Sequence, residues 1–290
     1  MDTAALGAEA ARQAIADIVS HPNMPAARRI YLRQFLDLYG GNPFLARLLL
    51  EQGRFFVHLL TMFLYAGHDP AHRETWCSVG ALKRGIAATG MASARQVDHL
   101  IGRLRDAGFV TVRPAALDRR ARLLAPTVAM LAHDREWLRV HYAPLTVLWP
   151  ERDYACVMQA DVDFQMRHRC EAARWMAPAM RIMTSVPETM LFFNRAGGHM
   201  ARSALLWAAM EIDDTTTVVS VPYADLASRF GISRNQVREI LRAAEAVGLV
   251  RLADRGGRRI ELMPKLWSSY DEGLAGGIYL HDMVLRAVTQ

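Results

Sequence analysis

Apolar and polar positions alternate with the period of an α-helix along most of the chain, most clearly near its C-terminal end. Val237, Ile240, Leu241 and Ala244 fall on one face of a helix, and polar residues occupy the other face. Ser233 precedes this pattern as an N-cap, because its hydroxyl can accept a hydrogen bond from an otherwise unpaired backbone amide. The pattern predicts a capped helix with one buried face.

The same pattern occurs a second time, 140 residues earlier. Residues 93–110 read SARQVDHLIGRLRDAGFV and residues 233–250 read SRNQVREILRAAEAVGLV, and the two align without a gap. The capping serine, a glutamine, the glycine after the helix and the final valine coincide, and the apolar positions match. The period of 140 residues between the two copies is too long for a solenoid module. Since a capped helix, a glycine stop and a strand form the core of a winged helix-turn-helix, the sequence predicts two such units.

The elements predicted around each repeat follow one order: helices, a short strand, two helices and a two-stranded hairpin. In the first half we expect helices over residues 4–19, 26–39, 81–89, 94–107 and 127–142, and strands over 76–79, 109–113 and 119–125. Residues 44–65 should form one helix or a pair of helices, with a break or kink near Gly53. In the second half we expect helices over 160–184, 188–211, 223–230, 234–247 and 266–287, and strands over 217–221, 249–252 and 258–263. The predicted fold is mainly α with small β-hairpin wings.

This order predicts two domains in one chain. The first covers residues 1–145, with a winged-helix unit at about 56–128. The second covers residues 146–290, with a unit at about 200–265 and a C-terminal helix. We expect the tandem units to be related by a pseudo-twofold axis, so that one chain imitates a symmetric DNA-binding dimer. Flanking helices should hold the units together, since no flexible linker separates the halves.

Positive charge is concentrated on the two repeated units. Residues 83–122 contain nine Lys and Arg and three Asp, a net charge of +6. Residues 229–265 contain nine Lys and Arg and four Asp and Glu, a net charge of +5, so the remaining residues carry about −5. Basic segments of this kind neutralise phosphates. Of the 35 basic residues 33 are arginine, which suits bidentate contacts to phosphate and guanine, although a GC-rich genome would also favour arginine.

The outer face of the second capped helix carries the candidate base-reading residues. N-terminal side chains of such a helix reach base edges in the major groove, where arginine pairs with guanine and asparagine with adenine. A solvated helix face with three arginines is the alternative interpretation. The predicted DNA-binding residues of this unit are Ser233, Arg234, Asn235, Arg238 and Arg242 on the helix and Arg255, Arg258 and Arg259 on the wing.

The helix of the first unit is expected to contact fewer bases than that of the second unit. Its outer helix positions include Asp98, which phosphate would repel, and Gly102, which weakens a helix by about 1 kcal/mol relative to alanine. Such a helix contacts fewer bases or acts as the structural partner of the second unit. The predicted DNA-binding residues of this unit are Arg95, His99 and Arg103 on the helix and Arg113, Arg119, Arg120 and Arg122 on the wing.

Residues 108–127, GFVTVRPAALDRRARLLAPT, resemble the wing of MarR-type transcriptional regulators. In that family a Gly-hydrophobic-Val strand leads to a D-x-R turn and a second strand ending in L-x-P/T. Asp118, Arg120, Leu124 and Thr127 occupy those places here. The resemblance implies that Asp118 orders the hairpin and that Arg120 enters the minor groove or touches phosphate. The second unit, DRGGRRIELMP, lacks this turn in register and is more similar to a generic bacterial winged helix.

Signatures of catalysis, cofactor binding and metal binding are not found in the sequence. There is no phosphate loop, no G-x-S-x-G and no H-E-x-x-H, and the three cysteines lack zinc spacing. We therefore expect no enzyme, no cofactor and no metal site. Cys77 could sense oxidants only if it were exposed and had a low pKa.

A cytoplasmic protein without a membrane partner is expected. The longest apolar run, residues 55–66, is too short to span a bilayer, and no signal peptide is recognised. Eight of the fifteen methionines fall between Met158 and Met210, near three tryptophans. These side chains could line an adaptable pocket for a small hydrophobic effector, or they could pack between the two halves.

Together these patterns predict a bacterial transcriptional regulator that binds double-stranded DNA in a sequence-dependent manner. It would act as a monomer in the form of a single-chain pseudo-dimer, or as a homodimer of such chains. Because the two halves of the chain differ, the protein would prefer an imperfect palindrome or two different half-sites. Two alternatives stay open: a plasmid replication initiator with tandem winged-helix units would bind directly repeated sites, and a protein-interaction scaffold would not bind DNA.

Overall fold

The fold is seen in a computed structural model that describes residues 3–40, 45–46, 49–50, 54–89, 93–116, 118–213, 216–254 and 256–289. The described chain is mainly helical, and its strands form two small antiparallel sheets, one of two strands and one of three. The predicted class, mainly α with small hairpins, is confirmed at this level. No helix within these ranges is long and apolar enough to cross a membrane.

Fourteen α-helices, two short 3-10 helices (Arg73–Thr75 and Ala173–Trp175) and five strands are assigned within the described ranges. The helices are α1 (Thr3–Val19), α2 (Met24–Gly40), α3 (Arg54–Ala66), α4 (Val79–Thr89), α5 (Ala94–Asp106), α6 (Val128–Leu148), α7 (Ala155–Met158), α8 (Val162–Ala172), α9 (Met176–Thr184), α10 (Pro187–Phe193), α11 (Gly198–Ile212), α12 (Tyr223–Phe230), α13 (Arg234–Ala246) and α14 (Pro264–Thr289). The strands are β1 (Val110–Pro114), β2 (Arg122–Pro126), β3 (Val218–Val219), β4 (Val250–Leu252) and β5 (Ile260–Leu262). In the β1–β2 hairpin Val112 lies opposite Leu124, and in the β3-β5-β4 sheet Val250 lies opposite Leu262.

The chain folds into two compact units, each built from separate stretches of sequence. Residues 48–139, 155–176 and 284–290 form the repeat-1 unit, and residues 1–47, 140–154 and 177–283 form the repeat-2 unit. Each predicted winged-helix stretch lies within one unit. The predicted division at residue 145 falls inside α6, because this helix continues through Pro144.

In the repeat-1 unit, α3 packs against α4, α5, α8 and β2. Beside its His58 lies a buried ion pair, in which Arg169 Nη2 is 2.6 Å from Asp134 Oδ1 and Arg169 Nε donates to Asp134 Oδ2 at 3.0 Å. Burial alone would raise the pKa of Asp134, but Arg169 and His58 outweigh it and hold this pKa well below its usual range. The bidentate contact joins α6 to α8 in the core.

In the repeat-2 unit, α11 packs against α2, α10, α12, α13 and β3. Its Arg202 is buried, with the guanidinium 4.9 Å from the ring centre of Tyr270 and 5.3 Å from that of Phe192. Arg202 donates to Thr189 Oγ1 at 2.9 Å and to Ser269 Oγ at 3.2 Å. Among the described residues no carboxylate forms an ion pair with it. Aromatic faces and hydroxyl groups therefore hold this cation.

Several predicted elements differ from the structure. The predicted helix over 160–184 is divided into α8 and α9 by the 3-10 turn Ala173–Trp175. The predicted strand over 76–79 is reduced to one bridge, between Ser78 and Leu123, because α4 begins directly after it. The predicted helix over 188–211 is two helices, separated near Gly197, which takes a left-handed φ of 73°. Glycine adopts this conformation without steric cost, so the chain turns there between α10 and α11.

Candidate nucleic-acid interface

The two repeated helices, α5 and α13, begin and end with similar local geometry. Ser93 Oγ accepts a hydrogen bond from Gln96 N at 3.3 Å, and Ser233 Oγ accepts one from Gln236 N at 3.1 Å. A glycine with left-handed φ follows each helix, at 75° after α5 and 72° after α13. One difference is that Gln96 Oε1 also accepts from Ser93 N at 2.7 Å, whereas Gln236 Nε2 donates to Ala196 O at 3.2 Å. The predicted caps and stops are confirmed, and only α5 has a full capping box.

The apolar and polar faces of α13 are separated as the sequence predicts. Its buried residues are Val237, Ile240, Leu241 and Ala244. Its exposed residues include Ser233 at the cap and the predicted base-reading residues Arg234, Asn235, Arg238 and Arg242. The helix therefore presents a set of hydrogen-bond donors on the side away from the core.

Contacts within α13 orient part of this exposed face. Arg238 Nη2 donates to Asn235 Oδ1, about one helical turn away. Glu239 Oε1 lies 3.7 Å from Arg238 Nε and 3.8 Å from Arg242 Nη1. Exposed ion pairs of this kind contribute little to stability. Both guanidinium groups can therefore exchange Glu239 for another anionic partner.

The outer face of α5 is less basic than that of α13. Arg95 and His99 are exposed, and Arg103 is half-buried. Asp98, which was expected to repel phosphate, is bound by Lys83 of α4, whose Nζ lies 2.6 Å from Asp98 Oδ2. This contact neutralises the carboxylate. Lys83 precedes the repeated segment, so the repeat alone did not assign it a role.

Asp118 organises the turn between β1 and β2. Its Oδ1 accepts a hydrogen bond from Arg120 N at 3.0 Å, and its backbone oxygen accepts one from Ala121 N at 2.9 Å. Arg73, from the 3-10 turn before α4, donates to Asp118 Oδ2 at 2.5 Å. This geometry agrees with the ordering role that the resemblance implied for Asp118. The exposed arginines of the hairpin, which form no ion pair with another described residue, are Arg113, Arg119, Arg120 and Arg122.

A groove of about 700 Å³ lies between α4, α5 and the β1–β2 hairpin. Trp76, Val79 and Ile101 give it an apolar floor, and each of these side chains is mostly buried. The basic side chains that line it are Arg73, Lys83, Arg84, Arg105, Arg120 and Arg122. Among the lining residues Asp98 is the only carboxylate, so the groove is strongly positive.

The groove brings together residues that the sequence predicted and residues that it missed. Arg120 and Arg122 were predicted DNA-binding residues, whereas Arg84 and Arg73 were not. A pair of adjacent basic residues in α4 was an available signal for Arg84, but Arg73 lies in a separate turn and had none. The predicted DNA-binding residues of this unit that lie outside the groove are Arg95, His99, Arg103, Arg113 and Arg119.

The β4–β5 hairpin is fixed to the start of α12 through two glycines. Gly257 O accepts a hydrogen bond from Val221 N at 2.8 Å, and Gly256 O accepts one from Tyr223 N at 2.9 Å. Gly257 has a left-handed φ of 84°, and a Cβ there would lie 2.4 Å from Val221 O. Only glycine fits this position without moving the backbone.

Asp254 adds a side-chain contact to the same hairpin, and this contact was not predicted from the sequence. Its Oδ1 accepts a hydrogen bond from Arg259 N at 3.0 Å. The side chains of Arg258 and Arg259 are exposed and form no ion pair with the rest of the described chain. The predicted wing residue Arg255 lies outside the described residues. This hairpin therefore also presents unpaired arginines at its turn.

The described residues contain no group of three or more His, Cys, Asp or Glu that could hold a metal ion. Cys77 is buried, and burial raises the pKa of its thiol to about 12, which is opposite to what an oxidant sensor needs. In comparisons with protein-family models, curated proteins and solved structures, no match to this chain was found.

Proposed function

We propose that each repeat is a winged helix-turn-helix module and that the chain binds double-stranded DNA in a sequence-dependent manner, as a MarR-like regulator of transcription. One observation, present in both units, carries the proposal. A Ser-capped helix with an exposed polar face is followed by a hairpin whose exposed arginines have no ion pair with the described residues. Helices of this kind enter the major groove, and arginine-bearing hairpins contact phosphate or the minor groove.

In this proposal α13 is the base-reading helix. Arg234 and Asn235 lie in its first turn, where side chains approach base edges. Arg238 lies one turn further on and is held by Asn235 Oδ1, which leaves the amide N–H groups of Asn235 able to donate. Since arginine donors match guanine O6 and N7, we expect α13 to favour a guanine-containing half-site.

The repeat-1 module supplies most of the phosphate contacts. Its hairpin exposes four arginines without an ion pair, whereas the described part of the β4–β5 turn exposes Arg258 and Arg259. The α5 helix offers bases fewer donors, because its Asp98 is bound to Lys83. We therefore expect a DNA site with one well-defined half and one degenerate half. With the pseudo-twofold relation predicted from the repeat, the halves would be inverted and about 10 base pairs apart.

Fluorescence anisotropy with a labelled duplex of about 30 base pairs tests DNA binding directly. Neutralised phosphates release counterions, so the affinity should fall by about 10³ or more between roughly 50 and 200 mM salt for six or more contacts. Absence of binding at the lower salt concentration, or an affinity that does not change with salt, would contradict the proposal. A flat salt dependence would support a protein-interaction scaffold.

A replication initiator is the second candidate function. The unlike outward faces of α5 and α13 favour it, because unlike modules do not require an inverted site. Such a protein would prefer the same half-sites in direct orientation. Titration of two duplexes that differ only in the relative orientation of the half-sites separates the two functions.

A further inference from the structure

We propose that the groove between α4, α5 and the β1–β2 hairpin binds a small phosphorylated ligand that carries an aromatic ring, of the size of a nucleotide. The groove volume of about 700 Å³ lies within the range of small-molecule sites, roughly 300–1,000 Å³. Its walls come from a helix pair and a hairpin of one unit, so the site is complete within the repeat-1 unit.

Three arginines provide the phosphate-binding part of the site. Arg84 comes from α4, Arg120 from the hairpin turn and Arg122 from β2, and none of them forms an ion pair with another described residue. Guanidinium groups bind phosphate oxygens in a bidentate manner, and a multiply charged phosphate can accept donors from several arginines.

The other cations of the groove already have carboxylate partners. These pairs are Lys83 with Asp98 at 2.6 Å, Arg73 with Asp118 at 2.5 Å and Arg105 with Asp106 at 3.2 Å. Counting these three carboxylates against the six cations leaves a net charge of +3, which matches a diphosphate better than a neutral or monoanionic ligand.

Because the groove has an apolar floor, a ligand that carries a ring fits it better than the DNA backbone does. Trp76 is fixed by donation from its Nε1 to Pro70 O at 3.1 Å, and it lines the groove together with Val79 and Ile101. In a duplex the bases are stacked, so the backbone brings phosphate and sugar to a protein surface but no free flat ring. A nucleotide brings both groups at once and can cover the floor and the arginines together.

Binding of this ligand does not require that the protein bind DNA, but competition between them does rest on the proposed function. Arg120 and Arg122 line the groove and are also phosphate contacts in that proposal. A ligand seated on them should therefore displace duplex DNA from the repeat-1 module.

Isothermal titration calorimetry on the full chain tests the site, with ADP, pyrophosphate and adenosine as probes. We expect ADP to bind most tightly, pyrophosphate to bind more weakly and adenosine not to bind. Arg84→Gln and Arg122→Gln should each lower the ADP affinity about tenfold, since each removes a charge-assisted hydrogen bond. Arg167→Gln is the matched control, because Arg167 is an exposed arginine of α8 in the same unit and does not line the groove.

The inference is overturned if wild-type protein shows no heat with ADP, or if Arg84→Gln and Arg122→Gln weaken ADP binding no more than Arg167→Gln. A labelled duplex distinguishes the two sources of phosphate. Duplex binding without ADP binding would overturn the nucleotide site and leave the proposed function in place. ADP binding without duplex binding would support the site and contradict the proposed function.

Discussion

In the repeat-1 unit, α5 begins with a full capping box and carries Asp98 bound to Lys83, whereas α13 in the repeat-2 unit exposes three arginines and an asparagine. The hairpins also differ, because Asp118 closes the first turn and two glycines tie the second to α12. Yet the serine caps, the glycine stops and the buried helix faces coincide. Apolar and capping positions thus coincide in the two repeated helices, whereas their outward residues differ.

The cores of the two units also differ in how each holds a buried arginine. The repeat-1 unit contains the buried Asp134–Arg169 ion pair, and Arg169 helps to hold the pKa of Asp134 well below its usual range. The repeat-2 unit contains Arg202, held by hydroxyl groups and aromatic rings, and burial lowers its pKa to about 10. We expect the two units to respond differently when a buried charge is removed.

The largest effect is expected from Asp134→Ala. It leaves Arg169 buried without its anion and should reduce the free energy of unfolding by about 3–5 kcal/mol. Arg202→Met should cost less than about 1.5 kcal/mol, because Thr189 and Ser269 keep hydrogen bonds to backbone oxygens. Urea denaturation followed by circular dichroism measures both. Equal losses would show that the two buried arginines depend on their surroundings in the same way.

A smaller effect is expected in the second hairpin. Gly257→Ala should reduce the free energy of unfolding by about 2–5 kcal/mol, since it combines a left-handed φ with a contact against Val221 O. Gly256→Ala is the control, because its φ is 88° but a Cβ there meets nothing within 4 Å. It should cost only about 1–2 kcal/mol. A thermal melt in which both variants behave alike would show that the backbone contact is unimportant.

If the proposed function holds, α5 and α13 should differ in their effect on base specificity. Arg238→Ala should reduce discrimination at one base position by about 1–3 kcal/mol, while His99→Ala on α5 should change discrimination little. Competition titrations with single-base variants of the preferred duplex measure both. If His99→Ala has the larger effect, the assignment of base reading to α13 is wrong.

The smallest expected change is in the salt dependence of DNA binding. Removing two phosphate contacts with Arg120→Ala and Arg122→Ala should flatten the slope of log affinity against log salt by about 2 on every sequence. The pair Arg258→Ala and Arg259→Ala should flatten it by the same amount or less. A larger change from the second pair would contradict the anchoring role of the repeat-1 module.

Much of the fold could be predicted because its signals are local. Ser233, the apolar face of α13 and the glycine after it lie close together in sequence and determine one helix. The interleaving of the two units could not be predicted, since α6 continues through Pro144 where a break was expected. The division of the helix at Gly197 was also missed, because one glycine does not show whether a chain turns.

The candidate site was predictable where its residues lie in the repeated helices or in the hairpins that follow them. The exposed arginines of α13 and of both hairpins follow from the pattern, but Arg73 and Arg84 join the groove from elements outside the repeated segments. Likewise, the salt bridge between Lys83 and Asp98 depends on how α4 packs near α5. Sequence spacing identifies residues on one helix face, whereas tertiary packing decides which faces meet.

Selection of binding sites from a random duplex library, with the purified chain at physiological salt, tests the central claim most directly. The account predicts enrichment of a two-part motif with one well-defined, guanine-containing half and one degenerate half about 10 base pairs away. The Arg238→Ala variant should lose the sequence preference at the first half-site. Absence of enrichment, or two equally defined halves that Arg238→Ala leaves unchanged, would contradict it.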